Sequence, residues 1–436
     1  MGHMQDALRQ QIQAEYNKKF PPKTFVPGDS PVPITGKVFD EREMISMVEA
    51  VLEGWWTEGH FTEEFESKLA YWLGVKQGIL VNSGSSANLL AISALTSARL
   101  GAKKLNAGDE VITVATSFPT TVNPIIQNKL VPVFVDVDLG YYNANVEQIK
   151  QALSPKTRAI FLAHTLGNPF DLDAIAAICK EHNLWLIEDN CDALGSIYNG
   201  KHTGTFGHIA TCSFYPAHHI TLGEGGMVFT NDGILAKIIR SFRDWGRDCW
   251  CKPGCDNTCG MRFGWQLGDL PYGYDHKYIY SEIGYNLKVG DVQAALGVAQ
   301  LEKLESFVAR RRENFDILYN ALKKFEDYFI LPKWLDNAEP SWFGFLLTIK
   351  EGAPFDRDTL VHFLHDKQIA TRYLFAGNII KQPYFIDNKI EYRVVGDLKN
   401  ADIVMNNTFW VGVYPGLTKE MMEYIAACFE DFISKL

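Results

Sequence analysis

The sequence has no apolar run approaching the ~18 residues that cross a bilayer, and its N-terminus lacks the charged-then-apolar layout of a secretion signal. These absences predict a soluble cytoplasmic protein with no membrane partner. Basic excess is missing too: 42 Lys+Arg stand against 52 Asp+Glu, and a net charge of −10 repels phosphate backbones, which argues against nucleic acid as a partner. Cysteine is scarce, eight in 436 residues, too few for a disulfide scaffold. Four of the eight nevertheless crowd between Cys249 and Cys259, and in a reducing compartment that clustering suggests a metal. What the chain has in quantity is apolar residues, 47%, ample for a core and incompatible with disorder. Its length suits two or three domains. The opening Met-Gly-His-Met reads as a tag remnant and is set aside.

From about residue 40, helical and strand-like periodicity alternate. GILVN (78–82), EVITVA (110–115), LVPVFVDV (130–137), RAIFLA (158–163), LWLIED (184–189), IATCSF (209–214) and GMVFT (226–230) are each of strand length. Segments 85–100, 117–127, 145–153 and 171–182 between them are long enough for helices. This alternation predicts an α/β fold with a mainly parallel sheet covered on both faces. A long helix over 291–326, the strand-like WFGFLLTIK (342–350), a helix near 356–367 and a closing helix near 418–435 predict a smaller C-terminal α/β domain. Residues 5–19 read as a polar helix and 21–33 as an extended arm. The expected division is an N-terminal segment 1–35, a large domain 36–305 and a small domain 306–436.

Ligands in parallel sheets bind beyond the carboxyl ends of the strands, so the residues after each apolar run matter most. NSGSSAN (82–88) after the first run is a Gly- and Ser-rich turn opening a helix, where backbone N–H groups and the helix end suit a phosphate. It also reads as a plain helix cap. Phe118 follows the second run, where an aromatic stacks on a planar ring or simply joins the core. LWLIED ends in Asp189, a helix cap or a partner for a protonated pyridine nitrogen. SFYPAHHITLGEGG (213–226) is the most unusual segment in the chain.

Taken in order, phosphate cradle, ring aromatic, strand-end Asp and a loop ending in Glu-Gly-Gly resemble the sugar aminotransferase and dehydrase family of pyridoxal phosphate enzymes, with the aspartate aminotransferase fold. The likeness runs from about residue 35 and includes 284–305, similar to the family segment that reaches a neighbouring subunit's site. It implies that Gly84, Ser85 and Ser213 hold the cofactor phosphate, with Asn286 joining from the partner of a homodimer. Phe118 would stack on the ring and Asp189 bind its nitrogen. Asp192 would stand near the cofactor, where relatives carry Gln or His, and Tyr215 where relatives often carry His.

That family carries a Schiff-base lysine six residues before the Glu of Glu-Gly-Gly. Here the position is His218, and 213–226 contains no lysine. Imidazole forms no stable imine with the cofactor aldehyde, but a histidine can take a proton from a carbon made acidic by the cofactor. The implied reaction starts from pyridoxamine phosphate and ends in loss of a β-hydroxyl from a keto sugar, with His218 as the base. Loss of the lysine also fits an inactive relative.

The cysteines at 249, 251, 255 and 259 suit zinc or an iron–sulfur cluster. Read with Cys191, the pattern Cys191, Cys249, Cys251, Cys259 is similar to the iron–sulfur dehydrases of 3,6-dideoxyhexose biosynthesis, which share the His-for-Lys exchange. This likeness implies a 2Fe–2S cluster on those four thiolates within the cysteine-rich loop 248–260, with Cys255 a bystander. It also implies CDP-4-keto-6-deoxy-D-glucose as substrate, an NADH-dependent iron–sulfur flavoprotein reductase as electron donor, and a place in O-antigen lipopolysaccharide synthesis. Cys179, Cys212 and Cys428 fall on apolar periodic segments and read as core thiols. Arg372 reads as a substrate anion anchor or a surface Arg, and His164 as a site residue or a satisfied core histidine. Segment 261–285 either covers a nucleotide or packs around the cysteines. Two further readings are a cluster-free GDP-sugar 3-dehydrase that regenerates the amine with glutamate, and a zinc-stabilised non-enzymatic relative.

Overall fold

A computed structural model of the chain describes residues 6–436. The opening Met-Gly-His-Met and Gln5, the first residue of the expected N-terminal helix, lie outside the described residues; the helix itself is Asp6–Lys19.

Each of the seven apolar runs forms a strand: β1 Gln77–Val81, β2 Glu110–Val114, β3 Val131–Val135, β4 Thr157–Ala163, β5 Trp185–Asp189, β6 Ile209–Ser213 and β7 Gly226–Thr230. They pair in the order β1-β7-β6-β5-β4-β2-β3. β7 is antiparallel to both neighbours and the remaining pairs are parallel. All five residues of β2, β5 and β6 are buried, as strands covered on both faces require.

Beyond residue 305, β8 Phe329–Ile330, β9 Gly344–Ile349, β10 Thr371–Tyr373, β11 Arg393–Val394 and β12 Thr408–Gly412 follow. Four of them make an antiparallel sheet in the order β8-β9-β12-β10. β11 instead extends the large sheet, parallel to β3, where Arg393 forks onto Glu110 with Nη2 2.7 Å from Oε2. The arm joins the small sheet through Val32, which bridges to Ile369 and is buried with Phe25 against Phe315 and Phe345.

The single helix expected over 291–326 is two, Asp291–Leu301 and Leu304–Leu322. At the break the Lys303 ammonium turns inward onto buried Glu43, with Nζ 2.6 Å from Oε1. A buried carboxylate needs such a partner, and local periodicity carries no sign of one 260 residues away.

Candidate active site

The carboxyl ends of the parallel strands converge on a cavity of about 260 Å³. Gly84, Ser85, Phe118, Asp189, Cys191, Asp192, Ser213, Tyr215 and His218 all line it. None of its lining residues is a lysine.

One wall is the start of the helix Gly84–Leu95. Ser83 caps it by accepting the Ser86 N–H at 3.0 Å, so the first turn's remaining N–H groups are free for an anion. A Cβ on Gly84 would lie 2.5 Å from Ser213 Cβ, so only glycine lets the helix end approach β6 this closely. Gly226 is equally constrained, since its Cβ would meet the Ser83 carbonyl oxygen at 2.2 Å.

Asp189, at the end of β5, is 5% exposed and fully engaged. Oδ2 accepts from Asn88 Nδ2 at 2.9 Å and Thr121 Oγ1 at 2.7 Å, and Oδ1 from the Cys191 N–H at 3.1 Å. Asn88 is itself oriented by Thr211, whose hydroxyl donates to its Oδ1 at 2.6 Å. Three donors hold this side chain in place at the cavity wall. Phe118 is not a core residue: it is 49% exposed and meets Phe375 edge to face at 5.6 Å.

His218 and His219 have opposite fates. His219 is 2% exposed, with Nε2 2.9 Å from the Ser341 carbonyl, and burial followed by the charge of Arg311 pushes its pKa well below the usual value. His218 faces the cavity, with Nδ1 3.4 Å from Asp192 Oδ1 and its ring 5.2 Å from that of Phe343. The Asp192 contact is within ion-pair reach but poorly aligned, so Nδ1 has no hydrogen-bond partner.

One expected site residue lies outside this cavity. Arg372 is exposed on β10 and donates to the adjacent Thr371 carbonyl at 2.8 Å; it does not line the cavity, and Phe375, three residues on, does. Arg372 pairs with Trp410 on a short edge strand. Asn286, expected to act from a partner subunit, is exposed outside this chain's own cavity and bridges to Asp244, while its neighbour Leu287 accepts the Asn82 N–H at 2.9 Å. His164 is a satisfied core histidine, fully buried, with Nε2 3.1 Å from Glu188 and its ring stacked on Phe170. Asn88, Thr121, Phe343 and Phe375 belong to the site without having been singled out. Asn88 had a legible signal, one helical turn after Gly84, whereas Phe343 and Phe375 arrive from the C-terminal half by tertiary packing alone.

The four-thiolate set is not assembled within this chain. Cys249, Cys251 and Cys259 line a small separate cavity with His276, and Cys191 is not among them. No group of three or more His, Cys, Asp or Glu among the described residues is arranged to hold a metal ion. Burial, then Asp189, pushes the Cys191 thiol well up. Cys251 is lowered despite burial, chiefly by hydrogen bonding to Thr258 at 3.0 Å, and Cys259 is lowered by His276. Trp250 and Trp265 flank His276, whose Nε2 is 2.7 Å from Asp248, so segment 261–285 packs around the cysteine loop. Cys255 is exposed, and Cys179, Cys212 and Cys428 are buried, as core thiols should be. Among the described residues no helix is long and apolar enough to cross a membrane.

Comparison with known proteins agrees with this layout. The chain is 57% identical over 429 residues to the lipopolysaccharide biosynthesis protein RfbH of Salmonella typhimurium, covering 98% of each. It is 53% identical over 421 residues to the dTDP-4-dehydro-2,6-dideoxy-D-glucose 3-dehydratase of Saccharopolyspora spinosa, covering 97% of this chain and 90% of that one. Among solved structures, the E. coli GDP-4-keto-6-deoxy-D-mannose-3-dehydratase with bound hydrated PLP superimposes with a TM-score of 0.82 at 29% identity, over 91% of this chain and 98% of that one. The fold is that of the pyridoxal phosphate-dependent aminotransferases. Residues 39–430 match the profile of one such family, and the chain belongs to the DegT/DnrJ/EryC1/StrS aminotransferase family.

Proposed function

We propose that this protein is an enzyme, a nucleotide-sugar 3-dehydratase that uses pyridoxamine phosphate held without a covalent tether, with CDP-4-keto-6-deoxy-D-glucose as its substrate. The observation that carries the reading is the identity of the residue facing the cofactor-sized cavity: His218 stands there and no lysine does. Two relatives named as 3-dehydratases, of a dTDP-sugar and of a GDP-sugar, support the reaction class. The choice of CDP rests on the sequence likeness.

The cavity fits the cofactor in its donor set. Gly84 and Ser85 at the helix start, with the Ser213 hydroxyl, are the groups to hold its phosphate, and Asn286 of a second subunit is the fourth in the proposed homodimer. When bound, pyridoxamine phosphate supplies an amine that condenses with the keto sugar and a ring that draws electrons from its methylene carbon. Phe118 covers the ring face. Asp189, oriented by Asn88, Thr121 and the Cys191 N–H, is the group to pair with the protonated ring nitrogen. Asp192 sits beside His218 Nδ1, which leaves Nε2 to take the methylene proton. Phe343 and Phe375 close the far wall against water.

The finer reading adds a 2Fe–2S cluster fed by an NADH-dependent iron–sulfur flavoprotein reductase. Its support is the grouping of Cys249, Cys251 and Cys259 around one cavity. Cys191 does not join them, so the chain as folded does not present four thiolates together. That same separation favours a second reading, a cluster-free 3-dehydratase of the GDP-sugar kind that regenerates its amine with glutamate. Iron and sulfide analysis of anaerobically purified protein distinguishes them.

Borohydride treatment in the presence of pyridoxal phosphate tests the main reading. The expected result is no adduct between cofactor and polypeptide by mass spectrometry. A covalent adduct on the protein would overturn it.

A further inference from the structure

Directly beneath His218 lies a cation that the proposed chemistry does not use. Arg311, on the helix Leu304–Leu322, is 1% exposed and has no carboxylate within ion-pair reach among the described residues. Its hydrogen bonds go instead to main-chain carbonyls on two separate segments. Nη2 donates to His218 O at 3.1 Å, while Nη1 donates to Trp342 O at 3.2 Å and Phe343 O at 3.4 Å. Nε is buried with no partner. Burial pulls the guanidinium down to about 9, which leaves it charged at neutral pH.

A buried, unpaired charge is expensive, and a packed apolar side chain of similar volume would ordinarily replace it at a gain. What Arg311 does that no apolar side chain can is join the loop bearing His218 to the segment bearing Phe343. The guanidinium is a rigid planar fork, so anchoring three carbonyls fixes the two segments relative to one another. The contacts around it fit that role. The Phe343 ring lies 5.8 Å from Arg311 Cζ and 5.2 Å from the His218 ring. His219 is fastened to the same segment through Ser341. The His218 ring therefore rests between Asp192 and Phe343, on a loop whose carbonyl is held from below.

We propose that Arg311 is the positioning residue for His218, its guanidinium clamping the His218 carbonyl to the Trp342–Phe343 backbone so that the imidazole is presented to the cavity. This rests on the reading of His218 as the base. A ring displaced by about 1 Å costs proton transfer heavily while leaving the phosphate cradle and Asp189 untouched. The effect is therefore on turnover and not on binding.

The test compares Arg311→Met, which keeps volume and loses the fork, with Arg311→Lys, which keeps charge and one or two of the bonds. Three quantities are read on the full-length, pyridoxamine phosphate-loaded protein: cofactor affinity by absorbance, KM, and the rate of solvent-deuterium exchange at the cofactor methylene. Arg311→Met is expected to lower kcat and the exchange rate at least about tenfold, with cofactor affinity and KM within about twofold. Arg311→Lys is expected to fall between Met and wild type. Wild-type exchange and kcat in Arg311→Met would overturn the proposal, as would a loss confined to cofactor affinity. If Arg311→Met does not fold, Arg311→Lys decides: a lowered kcat at unchanged KM supports the clamp, and wild-type kcat rejects it. His218→Asn as a parallel control separates the two claims, because full turnover in that variant rejects the base itself, whatever Arg311 does.

Discussion

His218 Nδ1 stands 3.4 Å from Asp192 Oδ1, close enough to be attracted and too poorly aligned to be hydrogen-bonded. Both side chains are largely buried, at 16% and 12% exposure. A small ring rotation would align them, and general-base contacts commonly tighten only when the reacting partner is bound. On the proposed reading, Asp192 aligned in this way would orient the imidazole and leave Nε2 for the proton.

Replacing His218 by Asn removes the proposed base while keeping a polar side chain of similar reach. Cofactor binding is expected to stay within about twofold, and substrate dehydration to fall by about 10²- to 10⁴-fold, the range general-base catalysis contributes. Cofactor absorbance and turnover of a keto-sugar nucleotide measure the two separately.

Asp189→Asn places an amide where three donors now converge on a carboxylate. One of its two polar atoms can no longer accept, so at least one buried donor loses its partner, at about 1–3 kcal/mol. The expected outcome is cofactor affinity weakened about 10- to 100-fold, together with near-complete loss of turnover, because on the proposed reading the ring nitrogen loses its counter-charge. Equilibrium titration with pyridoxamine phosphate checks the first part.

His219 should make the fold acid-sensitive. Burial, then Arg311, holds its pKa well below 6.5 in the folded state, so below about pH 6.5 the unfolded chain binds a proton that the folded chain refuses. Stability then falls as pH drops, by up to about 1.4 kcal/mol per pH unit for one such group, until the folded-state pKa is reached. His202 and His208, also lowered by burial, add to the slope. Gln at 219 keeps a donor for the Ser341 carbonyl without titrating. Thermal unfolding between pH 7.5 and 5.5 is expected to show a smaller loss of Tm in His219→Gln than in wild type.

If the proposed iron–sulfur reading holds, Cys251→Ala is expected to leave dehydration unchanged and to abolish reductase-driven deoxygenation together with bound iron; under the cluster-free reading it changes neither. Iron content and NADH consumption with a flavoprotein reductase are the measurements. Unchanged electron transfer in the variant would mean that the thiol serves only its contact with Thr258, 3.0 Å away.

Much of the site was legible because its parts are local. Gly84, Ser85, Phe118, Asp189, Ser213 and His218 each end or follow a short apolar run, and a parallel sheet must bring the ends of its strands to one edge. Asp189 was readable as a strand-end acid, but its three donors were not, since Thr121 comes from a helix 68 positions earlier. Arg372 is the opposite case: an Arg beside a strand carries no mark of which face it takes, and here it is exposed and does not line the cavity.

Residue order along the chain was enough for the fold class, for the cavity's near wall and for the histidine that replaces a lysine, because periodicity and turn chemistry are properties of neighbouring residues. Packing between distant segments decided the rest. It sent His219 inward and His218 outward, supplied Phe343 and Phe375, placed Arg311 under the loop, and held Cys191 apart from Cys249, Cys251 and Cys259. Such choices depend on which buried surfaces and carbonyls meet once the two sheets are joined, and no spacing within the sequence encodes that meeting.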